Sequence, residues 1–156
     1  MTEQLTLKEV LEKAIQKEIE AQRFYTALSG MVHSSAIRDE FQNMVQQEKG
    51  HQWVLEQYLR GELKEGGLIG GHVVDYEIVD KLSEPEISPD MDIKAAFHLA
   101  ASREKSSHEF YISLARLHPE GEIKQLLQEL AEQELGHKQR LEFLYTEVAF
   151  PQTDGG

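Results

Sequence analysis

Apolar and polar positions alternate with helical period in four stretches of this chain, interrupted once by a long stretch that has none. From Leu7 the apolar face runs Leu7, Leu11, Ala14, then Glu18, then Tyr25 and Leu28, the three-and-four spacing of one side of a helix. Thr6 stands three residues before Glu9, as in a capping box, and Ser29-Gly30 marks an end, so the first helix is predicted over about 6–29. A second, over about 35–59, carries Ile37, Phe41, Met44, Glu48, His51, Leu55 and Tyr58 on its stripe, with Gly61 just past its end. The period then stops from about 61 to 91. Gly66, Gly67, Gly70 and Gly71 break it, His72 to Asp80 alternates as an extended segment would (Val74, Tyr76, Ile78), and Pro85 and Pro89 block a helix. It resumes over about 92–117 with Ile93, Phe97, Ala100, Glu104, Tyr111 and Leu114, and the His118-Pro119 step ends that helix. The fourth, over about 120–146, carries Ile123, Leu127, Leu130, Glu134, His137, Leu141 and Leu144, and the tail from Pro151 to Gly156 is expected to fray.

Two helical hairpins joined by a single crossover of about 30 residues describe an all-α, antiparallel four-helix bundle, and 156 residues suit one domain spanning the whole chain. A loop of that length inside a small domain has a topological or functional reason. The second half also repeats the first. Gln47-Glu48-Lys49-Gly50-His51 recurs as Gln133-Glu134-Leu135-Gly136-His137, and the same offset of 86 takes Ala14 to Ala100, Glu18 to Glu104, Phe24-Tyr25 to Phe110-Tyr111 and Leu28 to Leu114. The chain is an internal duplication.

Six ionisable residues occupy core-facing places on these stripes: Glu18, Glu48, His51, Glu104, Glu134 and His137. A Glu three residues before a His puts carboxylate and imidazole on one helix face, within reach of one metal ion. Helices of roughly 25 residues are about 35 Å long, and all six positions fall near mid-helix, so they converge at one level of the bundle. Four buried carboxylates repel one another, and the fold must either protonate them or recruit cations. Two divalent ions would balance them with both imidazoles neutral. The alternative is a hydrogen-bonded polar layer without metal, which four acids and two bases satisfy poorly. The chain has no Cys, so oxygen and nitrogen ligands must hold any metal, which favours iron, manganese or zinc.

Other residues carry weaker signals. Gly50 and Gly136 each cost about 1 kcal/mol in a helix interior, and either close helix approach beside the metal or simple inheritance from the duplication accounts for them. His33, His72, His98, His108 and His118 read as surface or packing residues, with His108, one turn after Glu104, placed to reach the rim of the site. Met31, Met44 and Met91 give no haem-ligand pattern. The formal charge of −12 argues against nucleic acid and anionic membrane as partners. No apolar run approaches the length of a membrane span, and Met1-Thr2-Glu3-Gln4 does not look like a signal peptide, so a cytoplasmic protein is expected.

In the residues Glu18 to Tyr25, Glu48 to His51, Glu104 to Tyr111 and Glu134 to His137 the chain resembles the rubrerythrin branch of the ferritin-like superfamily, with a related likeness to bacterioferritin. The resemblance covers all four helices, roughly 6 to 146. One Glu from each of two helices plus Glu-x-x-His from each of the other two is the ligand set of ferritin-like di-iron and di-manganese proteins. The resemblance implies that Glu48 and Glu134 bridge two irons, that Glu18 and His51 complete one site and Glu104 and His137 the other, and that Tyr25 and Tyr111 hydrogen-bond ligand carboxylates. Two departures stand out. Rubrerythrins commonly carry a further Glu one turn after the third-helix ligand, used in a redox-dependent ligand exchange, where this chain has Ser107. Many also carry a Cys-rich rubredoxin domain, and a chain without Cys must take its electrons from a separate donor protein.

The expected function is a non-haem di-iron oxidoreductase that reduces hydrogen peroxide or dioxygen. Ferrous iron oxidation and storage, with assembly into a cage, is the alternative that the bacterioferritin likeness implies. A non-catalytic bundle stabilised by manganese or zinc is the third. A homodimer fits the class.

Overall fold

The computed structural model describes residues 4–62, 73–75, 78, 81–82 and 90–149. Among them are two short strands and four long helices: β1 (Gln4–Thr6), α1 (Leu7–Met31), α2 (Ser35–Leu59), β2 (Val73–Asp75), α3 (Ile93–Arg116) and α4 (Glu122–Ala149). The glycine cluster at 66–71, His72, Tyr76, the prolines at 85 and 89 and the tail 151–156 lie outside the described residues.

Local chemistry sets the helix ends. The Thr6 hydroxyl accepts from the Glu9 amide at 3.2 Å, Ser34 from the Ile37 amide at 3.3 Å and Asp92 from the Ala95 amide at 2.8 Å, each satisfying a first-turn N–H that has no helical partner. The capping box is only half formed, because the Glu9 carboxylate accepts from the Thr6 hydroxyl and not from its amide. At the end of α2, Gly61 takes the left-handed conformation (φ 74°). Its amide donates to Tyr58 and that of Glu62 to Gln57, the paired closing bonds of a Schellman motif. Gly30 plays no such part: α1 runs through it to Met31 and leaves through Val32 in extended conformation.

α1 packs along α2, and α3 along α4, as two antiparallel hairpins, and the hairpins face each other α1 to α3 and α2 to α4. The expected all-α bundle is present with one addition, an antiparallel ladder pairing Leu5 with Val74 that ties the chain before α1 to the crossover. β2 lies inside the stretch whose alternation predicts extended chain; Ile78, predicted extended, is helical.

The apolar core comes in two halves. One gathers Leu7, Leu11, Ala14, Leu55, Tyr58, Val74, Phe110, Leu114, Ile123 and Leu127 among others; the other gathers Phe24, Tyr25, Leu28, Phe41, Met44, Phe97, Ala100, Leu141 and Leu144. Between them lie the six ionisable side chains, none more than 5 % exposed. Burial of the two apolar halves therefore fixes the level at which the charged layer sits.

Gly50 and Gly136 do not mark a close helix approach. Both are on the exposed side of their helices, and a Cβ at either would meet nothing within 4 Å. Since each glycine costs backbone entropy and has no contact to protect, Gly50→Ala and Gly136→Ala are each expected to raise stability by about 1 kcal/mol. Urea unfolding of both single variants and the double variant checks this; a loss in either single variant would mean the position is constrained by something other than space.

Candidate metal centre

Each helix delivers its functional groups through the same rule of helical spacing. Glu48 and His51 share one face of α2, Glu134 and His137 one face of α4, while Glu18 of α1 and Glu104 of α3 close the layer from the opposite side. His51 Nδ1 lies 2.7 Å from Glu134 Oε1, 3.5 Å from Glu48 Oε2 and 3.6 Å from Glu18 Oε2. His137 Nδ1 lies 2.7 Å from Glu48 Oε1 and 3.5 Å from Glu104 Oε1. The two imidazoles are nearly parallel, 19° apart, with centroids 6.3 Å from each other.

The donors form two overlapping groups, Glu18, Glu48, His51 and Glu134 in one and Glu48, Glu104, Glu134 and His137 in the other, with the chosen donor atoms of each group within 4.8 Å of one another. Glu48 and Glu134 belong to both. A shared carboxylate has two oxygens, one for each of two neighbouring cations, so this is the donor arrangement of a dinuclear site.

The donor atoms also fit cations by what they lack. Glu18 Oε2, Glu48 Oε1, Glu104 Oε2 and His137 Nδ1 are buried without a hydrogen-bond partner. Glu48 Oε1 and His137 Nδ1 are 2.7 Å apart and still not in hydrogen-bonding geometry. Two unpaired buried atoms at that distance are within reach of one cation. A buried orphan of this kind is otherwise costly.

Taken by themselves these groups hold protons. Burial, then the Glu48 charge, pushes the Glu18 carboxyl well above the usual range, and burial with the Glu104, Glu48 and Glu18 charges does the same to Glu134. Burial would raise Glu48 too, but the close approach of Glu18, His137 and His51 outweighs it and holds Glu48 low. Burial opposes a charge on either imidazole, yet the surrounding carboxylates win: Glu134, Glu18 and Glu48 push His51 far up, and Glu104 and Glu48 push His137 up to about 10. Cations that replace these protons relieve the same repulsion.

Tyr25 and Tyr111 reach across the bundle. The Tyr25 hydroxyl on α1 donates to Glu104 Oε1 on α3, and the Tyr111 hydroxyl on α3 donates to Glu18 Oε1 on α1 at 2.6 Å. Burial, then the adjacent carboxylate charges, pushes both phenols well above their ordinary range, so both remain protonated donors. Each tyrosine holds one oxygen of a carboxylate and leaves the other for a cation.

His108 does not join the layer, because its Nδ1 is hydrogen-bonded to the Ala131 carbonyl at 2.6 Å. His118 is buried and bonds Tyr58 and the Leu114 carbonyl; His33 and His98 are exposed, and His98 lies against Tyr145.

Three features were missed by sequence reading. His51 Nε2 lies 2.5 Å from Gln133 Oε1, and His137 Nε2 is bonded to Gln47 Oε1. Both glutamines open the repeated motif, a signal that was in plain view. The third feature is a cavity of about 20 Å³ between α1 and α3, lined by Glu18, Glu48, Glu104 and Glu134 inside and by Lys17, Arg103 and Ser107 outside, room for about one water-sized molecule. Lys17 and Arg103 are duplicates under the 86-residue offset, each immediately before a carboxylate of the layer, and both pair with Glu20, at 2.9 and 3.0 Å.

The sequence profile of the rubrerythrin family matches residues 9–145. The chain belongs to the rubrerythrin family. No match was found among curated proteins. Two solved structures share the fold. A hypothetical protein from Pyrococcus furiosus is 24 % identical, with a TM-score of 0.75 over 96 % of this chain and 94 % of that one. A crystal structure from Thermotoga maritima, provisionally described as a ferritin-like diiron-carboxylate protein, is 20 % identical, with a TM-score of 0.74 over 95 % of this chain and 99 % of that one. The fold of this rubrerythrin-family chain is thus the ferritin-like four-helix bundle expected from its motifs. No described helix is long and apolar enough to cross a membrane.

Proposed function

We propose that this chain is an oxidoreductase that reduces hydrogen peroxide or dioxygen at a dinuclear iron centre held by Glu18, Glu48, His51, Glu104, Glu134 and His137. The observation that carries it is the pair of overlapping donor groups sharing Glu48 and Glu134, with a small cavity against those same carboxylates. A bound iron pair supplies two electrons, one per ion, which with two protons reduce peroxide to two waters. The side chains do the rest. Glu48 and Glu134 hold two cations close together, Tyr25 and Tyr111 fix the outer carboxylates, and the apolar halves of the core exclude bulk water. Lys17 and Arg103 border the cavity against the layer, and Ser107 adds no carboxylate to that border. The 156 residues contain no Cys, and the electrons are drawn from a separate donor protein.

The test is anaerobic loading with ferrous iron followed by stopped-flow mixing with peroxide or with oxygenated buffer. About two irons per chain, oxidised in one fast phase and re-reduced for many cycles by a chemical reductant, is the expected result. Ferric iron accumulating well beyond two per chain in a large particle would replace reduction with storage. A ferrous protein inert to both oxidants would leave metal as a structural prop.

A further inference from the structure

The glutamine that opens each repeated motif has no part in the donor groups, yet it bonds a histidine of the site. The pairing is crosswise. Consecutive residues of α4 grip His51 on both ring nitrogens, Glu134 at Nδ1 (2.7 Å) and Gln133 at Nε2 (2.5 Å). On α2, Gln47 bonds His137 at Nε2, while the adjacent Glu48 Oε1 lies 2.7 Å from His137 Nδ1 outside hydrogen-bonding geometry. Each motif's glutamine bonds the histidine of the other motif.

A neutral imidazole carries one proton, and the partner of one nitrogen decides where it sits. An amide oxygen accepts only, so once a cation takes Nδ1, Gln133 and Gln47 are the acceptors for the one ring proton left, on Nε2. The His51 ring is also fixed in rotation, since it is held at both ends by α4. We infer that Gln47 and Gln133 are positioning residues that set the tautomer and orientation of the histidine in the opposite repeat, so that each half of the centre depends on the other repeat's motif. This rests on the six side chains being a metal centre.

The experiment uses the full chain loaded with Co(II). The hyperfine-shifted ring N–H signals report each ligated histidine separately. Gln133→Met is expected to lose the His51 signal to solvent exchange and to weaken Co(II) binding at that half-site by about 10- to 100-fold, with the His137 signal retained. Gln47→Met should do the reverse, and Gln133→Glu and Gln47→Glu, which keep the acceptor, should restore both signals. Equal losses at both half-sites, loss at the histidine of the same motif, or Glu variants no better than Met would overturn it. Both glutamines are solvent-exposed, so the variants should fold, and unchanged urea midpoints of the metal-free proteins verify that. Absence of any Co(II) binding by the parent would instead refute the metal centre.

Discussion

A Glu134→Gln variant is expected to lose the metal pair and yet to be more stable than its parent when metal-free. Glu134 belongs to both donor groups, so losing its charge weakens the hold on both cations together, whereas changing Glu18 or Glu104 touches one group each. Its 2 % exposure and the three carboxylates around it make the ionised form costly. Gln has the same shape, keeps an oxygen for His51 and carries no charge, so the metal-free core gains on the order of 1–2 kcal/mol at pH 8. Metal analysis after equilibrium dialysis and urea midpoints with chelator present measure the two halves of the prediction. Two tightly held ions per chain in the variant would remove Glu134 from the site. A variant less stable than the parent without metal would mean that its charge is already compensated by His51. Function here would be maintained at the expense of stability, as at other sites that gather like charges.

Metal and pH are expected to act on stability with opposite signs. Glu18 and Glu134 have folded-state pKa values raised above the usual carboxylate range, and His137 is raised to about 10. A raised value means that the folded chain holds a proton the unfolded chain gives up, so the contribution is fully present below the unfolded pKa and is lost as pH rises through the folded one. For the carboxyls that loss begins above about pH 4.5; for His137 it runs from about 6.5 to 10. Glu48 is shifted the other way, and its contribution is lost only on acidification below the usual carboxylate range. The metal-free protein should therefore lose stability steadily from pH 6 to pH 9. Cations displace these same protons, so their contribution grows over that interval, reaching about 4 kcal/mol at a thousandfold excess over Kd, roughly 10 °C in Tm for a chain of this size. Thermal unfolding at pH 6, 7.5 and 9, with chelator or with Mn(II), gives both curves. A metal-free protein that becomes more stable on raising the pH would contradict the proton-holding layer.

The four helices, their approximate ends and the six residues of the layer were legible in the chain because burial imposes a 3.6-residue period, and an ionisable residue on that stripe is visible as an exception to it. The duplication did the rest: a Glu-x-x-His pair means little alone, and an offset shared by Ala14, Glu18, Phe24-Tyr25 and Leu28 is hard to produce by chance. That Tyr25 serves Glu104 and Tyr111 serves Glu18, each across the bundle, needed the structure. So did the open space at Gly50 and Gly136, where periodicity carries no information about what lies opposite a missing side chain. Gln47 and Gln133 stood inside the motif, but their partners are 90 and 82 residues away. Periodicity states which side of a helix is buried and what charge is buried there, and so the sequence by itself determined the bundle and the composition of its polar layer. The rotation and axial offset of α2 against α4 decide which donor meets which acceptor across the interface, and of α1 against α3 where a gap remains. Those quantities follow from packing the two hairpins together, and only the tertiary structure decided them.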